Sequence, residues 1–139
     1  TGWLLYSGDQ NFTRFQAETW RPNFEFSYFL SARQQARISL QWVGIKAFEH
    51  DRFVLPGTGQ SLAPVQNADS DRDFTISRMS FQARYRWELA PLSDLFVVYT
   101  RGSNVPSNIA RGFGDQFSEA WKQALVDTLV VKLRYRLGN

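Results

Sequence analysis

The chain has 139 residues, 43% of them hydrophobic and 16% aromatic, which suits one ordered domain and argues against intrinsic disorder. It contains no cysteine, so disulfide scaffolds, cysteine zinc sites and thiol catalysis are excluded, and its net charge of +3 is spread along the chain instead of forming the basic block that nucleic acid would need. Mean hydropathy is -0.37 and no apolar run reaches the ~18 residues of a membrane helix; a membrane strand needs only ~9–11 residues, every second one apolar, so a β-barrel stays open.

In chain order, 2–6 (GWLLY) is a short apolar segment ending in the turn cluster Ser7-Gly8-Asp9, and reads as the remnant of a preceding strand. Over 12–30 the even positions Phe12, Trp20, Phe24, Phe26, Tyr28 and Leu30 are apolar, with Glu25 and Ser27 between them. Pro22 interrupts this phase. Proline cannot donate to a ladder, and the spacing predicts one long strand bent at that point. A connection at 31–35 leads into 36–48, where Ile38, Leu40, Trp42 and Gly44 oppose Arg37, Ser39 and Gln41. Residues 49–73 are polar, with Pro56-Gly57, Gly59 and Pro64, and read as a long loop.

The clearest signal follows. Over 79–89, Met79, Phe81, Ala83, Tyr85, Trp87 and Leu89 alternate without a break with Ser80, Gln82, Arg84, Arg86 and Glu88, which predicts a strand within 74–89. Ala90-Pro91-Leu92-Ser93-Asp94 supplies a preset φ and local side-chain acceptors, so a tight hairpin joins it to an apolar strand at 95–101. Residues 102–126 form a second long connection, inside which Phe117, Ala120, Trp121, Ala124 and Leu125 predict a short amphipathic helix over 115–125. The chain closes with a strand at 127–137, Leu129, Val131, Leu133, Tyr135 and Leu137 opposing Val130, Lys132, Arg134 and Arg136.

Short connections at 31–35 and 90–94 lie at one end of this sheet and the long ones at 49–73 and 102–126 at the other, the layout of a transmembrane β-barrel. Tyr28, Tyr85, Trp87 and Tyr135 fall at the short-turn end, as an interfacial aromatic girdle would, and Trp42 and Phe81 share their lipid-facing phase. The expected fold is therefore all-β: an antiparallel meander of long amphipathic strands forming part of a transmembrane β-barrel, with one short helix in a long loop. Five strands are fewer than the ~8 of the smallest closed barrels, and an open edge in lipid is costly. The strands that complete it are expected from a longer chain or another subunit, in a bacterial outer membrane whose lipid is the other partner.

Function is less legible. Arg37, Arg84, Arg86, Lys132, Arg134 and Arg136 lie on the polar phase against Glu25 and Glu88; if that phase lines a lumen, the field there favours anions, and the role is structural with a transport or channel component. Alternation alone equally fits a soluble β-sandwich or a small ligand-binding barrel, with the apolar phase turned inward. A third reading is an outer-membrane hydrolase acting at the rim through His50, the single histidine, between Glu49 and Asp51. No serine stands in a nucleophile context, so no catalytic residue is assigned. The alternating Asp69, Asp71 and Asp73 offer oxygens but lack the turn glycine and distal glutamate of a calcium loop, and no metal or cofactor is expected.

The run 78–103 (RMSFQARYRWELAPLSDLFVVYTRGS), followed by 127–138 (DTLVVKLRYRLG), resembles the end of a family of poorly characterised Gram-negative outer-membrane proteins. The motifs are 84–89 (RYRWEL), 95–101 (LFVVYTR) and 129–137, with 36–47 (ARISLQWVGIKA) as weaker support, together about half the chain. The resemblance implies a C-terminal barrel that follows a carbohydrate-binding-like β-sandwich. That sandwich has no counterpart in these residues, so no sugar-binding role carries over. Where such barrels end on an aromatic residue, this sequence ends Leu137-Gly138-Asn139, with Tyr135 and Leu137 as the nearest substitutes.

Overall fold

The computed structural model describes residues 2–57, 59–65, 72–109 and 111–137. In chain order they form β1 (Gly2–Gly8), β2 (Asn11–Trp20), β3 (Asn23–Ser31), β4 (Gln34–Val54), β5 (Ala63–Pro64), β6 (Phe74–Ala90), β7 (Ser93–Ser107), α1 (Phe113–Lys122) and β8 (Val126–Arg134). All strands join one sheet in the order β1-β2-β4-β6-β7-β8, with β3 and β5 also on β4, and the described pairings are antiparallel. β1 and β8 stand at opposite edges and do not pair with each other, so the sheet is open.

The bend at Pro22 has a simple structure. Trp20 is opposite Gly44 and Asn23 opposite Gln41, the same offset on β4, so β2 and β3 keep one register across Arg21-Pro22. Trp42 N–H donates to the Pro22 carbonyl at 3.1 Å. The proline removes a donor but leaves its acceptor in the ladder, and the two strands act as one long strand with a break.

Three tight turns connect the meander. Asp9 and Gln10 both have positive φ (46° and 62°), the pattern of a type I′ hairpin whose twist matches the flanking strands. Ser31 pairs with Gln34 across Ala32-Arg33, and Ala90 with Ser93 across Pro91-Leu92; Leu92 reaches φ 63°. The last two turns share one end of the sheet. The opposite end holds the connections over 55–73 and 108–125 together with the β1–β2 turn, so the asymmetry expected from the sequence holds for the long connections, while the first hairpin at that end is short.

Two strands outrun their expected ends. β4 has 21 residues and continues to Val54, and β7 has 15 and continues to Ser107. Residues 49–54, polar through Arg52, stay in the ladder because they pair with β2, with a bulge that leaves His50 without a register partner there. Pro106 is tolerated because β8 begins opposite Gly102, so β7 beyond that point has a neighbour on one side only. The helix starts two residues before its expected position.

Little of this chain is interior. Among the described residues the buried apolar ones are Phe15, Ala17, Trp42, Ala47, Met79 and Ala120. They form two small groups near the long-loop end, one where Phe15 meets Phe74 with ring centroids 5.1 Å apart, the other where α1 lies on the sheet over Trp42 and Met79.

Candidate functional site

Strand alternation gives the sheet two chemically distinct faces. On one, the register aligns Phe24, Phe26 and Tyr28 of β3 with Leu40, Ile38 and Ala36 of β4, then with Phe81, Ala83 and Tyr85 of β6. Trp87, Leu95 and Leu133 form the next row toward the short turns, and Tyr99 with Leu129, then Val97 with Val131, continue the face across β7 and β8. None of these side chains is charged. Its boundary on β7 and β8 is Arg101 and Asp127, which form an ion pair. Much of the face is bare: Phe24 is 55% exposed and Val131 and Leu133 are each 60% exposed.

α1 covers the long-loop end of that face. Phe113, Phe117 and Ala120 pack on Trp42, Met79 and Leu40, and Trp121 sits edge-on to Phe81 at 5.5 Å. The sheet beneath is small or cut away: the Ser77 hydroxyl donates to the Gln116 carbonyl at 2.9 Å, and any Cβ at Gly44 would stand 2.6 Å from the Trp42 indole and 2.9 Å from the Phe113 ring. At the helix C-terminus, Arg101 donates from Nε (3.1 Å) and Nη2 (2.7 Å) to the Trp121 carbonyl, satisfying an acceptor left over by the helix.

The sequence-predicted aromatic residues therefore divide. Tyr28, Phe81, Tyr85 and Trp87 lie on the apolar face, Tyr28 and Tyr85 flanking Ala36 in one row. Tyr135 follows the end of β8 and is exposed. Trp42 is a correction. It belongs to the same face but is only 1% exposed, because α1 closes over it, so it faces the helix and not whatever lies beyond the sheet.

The other face gathers the basic residues. Arg37 is the register partner of Arg84, Gln35 of Arg86, and Phe96 of both Arg86 and Lys132. Arg136 lies beyond β8, where its backbone N–H donates to the Ser93 hydroxyl at 3.1 Å. One residue of this face was missed. Asp94, read from sequence as part of the turn, is the second residue of β7 and is buried, accepting from Arg86 Nε at 3.0 Å and pairing with Arg134. It adds a third acid to Glu25 and Glu88 against the six basic groups. A hollow of about 400 Å³ opens among these side chains, walled in part by Phe96 and Val98.

At the long-loop end, in the part of β4 that continues past the apolar face, Glu49 accepts from Arg52 Nη2 at 2.8 Å and from the Arg72 N–H at 2.9 Å. Burial alone would raise its carboxyl pKa, but these bonds and the two arginine charges outweigh burial and hold it below the ordinary value. Asp73 accepts the Glu49 N–H at 2.7 Å, tying the two ends of the connection together. Asp69 and Asp71 lie outside the described residues, and among the described residues no group of three or more metal-ligating side chains comes together. His50 is exposed on its bulge, while the adjacent Asp51 is held by Arg14 at 3.0 Å; no acid–base pair is assembled around the histidine among the described residues. No helix of the described chain is long and apolar enough to cross a membrane.

Neither the curated proteins nor the solved structures contain a match to this chain. The family described as a domain of unknown function, DUF5916, matches residues 2–138, and the chain belongs to that family.

Proposed function

We propose that this chain is a segment of an outer-membrane β-barrel, with its apolar face in lipid and its charged face lining a hydrated interior, in a structural and transport-related role. One observation carries the reading: an uncharged apolar face five strands wide is left bare on one side of a single sheet whose other side is charged. The uncovered stretch of β6, from Phe81 to Leu89, measures about 27 Å along the strand at ~3.4 Å per residue, and about 21 Å in projection at a tilt near 40°, against the ~25 Å apolar band of such barrels. Soluble monomers rarely leave contiguous apolar patches of more than a few hundred Å² uncovered, and a sandwich would need a second sheet, whereas the strands of the described residues form one. The open edges at β3 and β8 are where further strands, of a longer chain or another subunit, pair to remove the unsatisfied backbone groups. α1 then lies at the outer boundary of the band, where Trp20 and Trp121 are amphipathic anchors at headgroup level.

Fractionation tests this directly. Expressed in a Gram-negative host, the protein is expected in the membrane fraction, resistant to high salt and alkaline wash and released only by detergent. Recovery in the soluble fraction without detergent would replace the barrel with a soluble β-sandwich or ligand-binding barrel.

A further inference from the structure

The charged face carries an imbalance that its own neighbours leave open. Arg37 and Arg84 are direct register partners, and like charges placed opposite each other on adjacent strands weaken the pairing. Arg86, next along β6, is held by Asp94, whose side chain is 2% exposed and which also binds Arg134. Among the described residues Arg37 reaches only Glu25, at 3.7 Å, with both side chains more than half exposed. Arg84 has no hydrogen bond or ion pair among the described residues. Arg37, Arg84 and Glu25 together therefore keep one uncompensated positive charge.

The hollow of about 400 Å³ lies at this place, lined by Gln35, Arg37, Arg84, Arg86, Phe96 and Val98, and its size falls in the range of small-molecule sites. One wall presents guanidinium forks, which match the two oxygens of a carboxylate. The other is the Phe96 ring, with Arg86 5.9 Å from its centroid, and the Val98 side chain. A bare inorganic anion would leave that apolar wall wet, and a monoanion matches the one charge that Arg37, Arg84 and Glu25 leave over.

We propose that this hollow is a binding site for a monoanionic carboxylate with a compact apolar body, its oxygens on Arg84 and Arg37 and its body on Phe96 and Val98. It rests on the barrel reading only in that it gives the transport role a substrate class. The test is calorimetric titration of the full protein in detergent with benzoate, acetate and inorganic phosphate. Benzoate is expected to bind one to one and at least tenfold more tightly than either of the others. Arg84→Gln is expected to weaken benzoate at least tenfold and Arg84→Lys less, while Arg78→Gln, which alters an arginine on the same face held by Asn104 at 3.0 Å, stays within twofold. Without ligand, Arg84→Gln should unfold at a temperature no lower than the unaltered protein, since it removes one of two opposed like charges. Absence of benzoate binding, phosphate binding as tightly as benzoate, equal weakening by Arg84→Gln and Arg78→Gln, or a lower unfolding temperature for Arg84→Gln would each overturn the site. The titration reads the site whether or not the protein needs detergent, so its failure is separable from failure of the barrel reading.

Discussion

Replacing Trp42 with alanine is expected to cost about 3–5 kcal/mol, the range for deleting a large aromatic from a packed interior, and to free α1 from the sheet. The indole meets Trp20 and Phe117 edge-on, each at 5.5 Å, and Phe113 at 6.3 Å. Its Nε1 donates to the Ser77 hydroxyl at 2.8 Å, and that hydroxyl donates onward to the helix. Removing the ring empties the centre of this group and takes away the bond that orients Ser77. Gly44→Ala probes the same contact from the other side. It keeps the indole but places a methyl 2.6 Å from it, and overpacking of this kind costs about 1–3 kcal/mol. Denaturant midpoints and limited proteolysis across 113–122 read both variants. The expected result is a lower midpoint and faster cleavage for each, with Trp42→Ala the more severe. A neutral Gly44→Ala with unchanged cleavage would mean that α1 is not held through Trp42.

The second large effect separates two adjacent residues on β8. Val131 is opposite Val97 on the apolar face and Val130 opposite Val98 on the charged face. Both are exposed in this chain, at 60% and 51%, so in water an arginine at either position would change stability little. In a bilayer they part company. Val131 lies between Leu129 and Leu133 on the apolar face, inside the proposed apolar band, where arginine costs up to about 2–4 kcal/mol, the most at the midplane. Val130→Arg faces the hydrated side and should stay within about 0.5 kcal/mol of the parent. Urea unfolding of each variant from lipid vesicles measures the difference, and equal values would place both faces in the same environment.

What the sequence revealed and hid follows from which forces wrote each segment. The 79–89 alternation and the Pro22 break were legible because each reflects a local constraint, side-chain period in one and a missing donor in the other. The far ends of β4 and β7 were not. Glu49, His50, Asp51 and Arg52 look like a loop, yet they remain in a strand through pairing with β2 and ion pairs to Arg14 and within the segment. Gly102 and Ser103 look like a turn, but β7 carries them to the start of β8 and beyond, and Ser103 is buried opposite Met79. Asp94 was hidden for the opposite reason: a Ser-Asp pair after proline is ordinary turn chemistry, and only the register shows that its carboxylate binds two arginines from neighbouring strands. The basic face itself was readable, since Arg37, Arg84, Arg86, Lys132 and Arg134 share one phase. The opposition of Arg37 to Arg84 required the pairing of β4 with β6, which no single strand encodes.

Because the chain has no cysteine, single cysteines introduced one at a time over 80–86 can each carry a nitroxide label without background. With the protein in lipid vesicles, collision of each label with oxygen, which concentrates in acyl chains, is compared with collision with a water-soluble nickel complex. Labels at 81, 83 and 85 should be reached by oxygen and shielded from nickel, and labels at 80, 82, 84 and 86 the reverse, with period two. Labels at 81, 83 and 85 shielded from both reagents would reveal a dry protein interior on that side and contradict the assignment of this face to lipid.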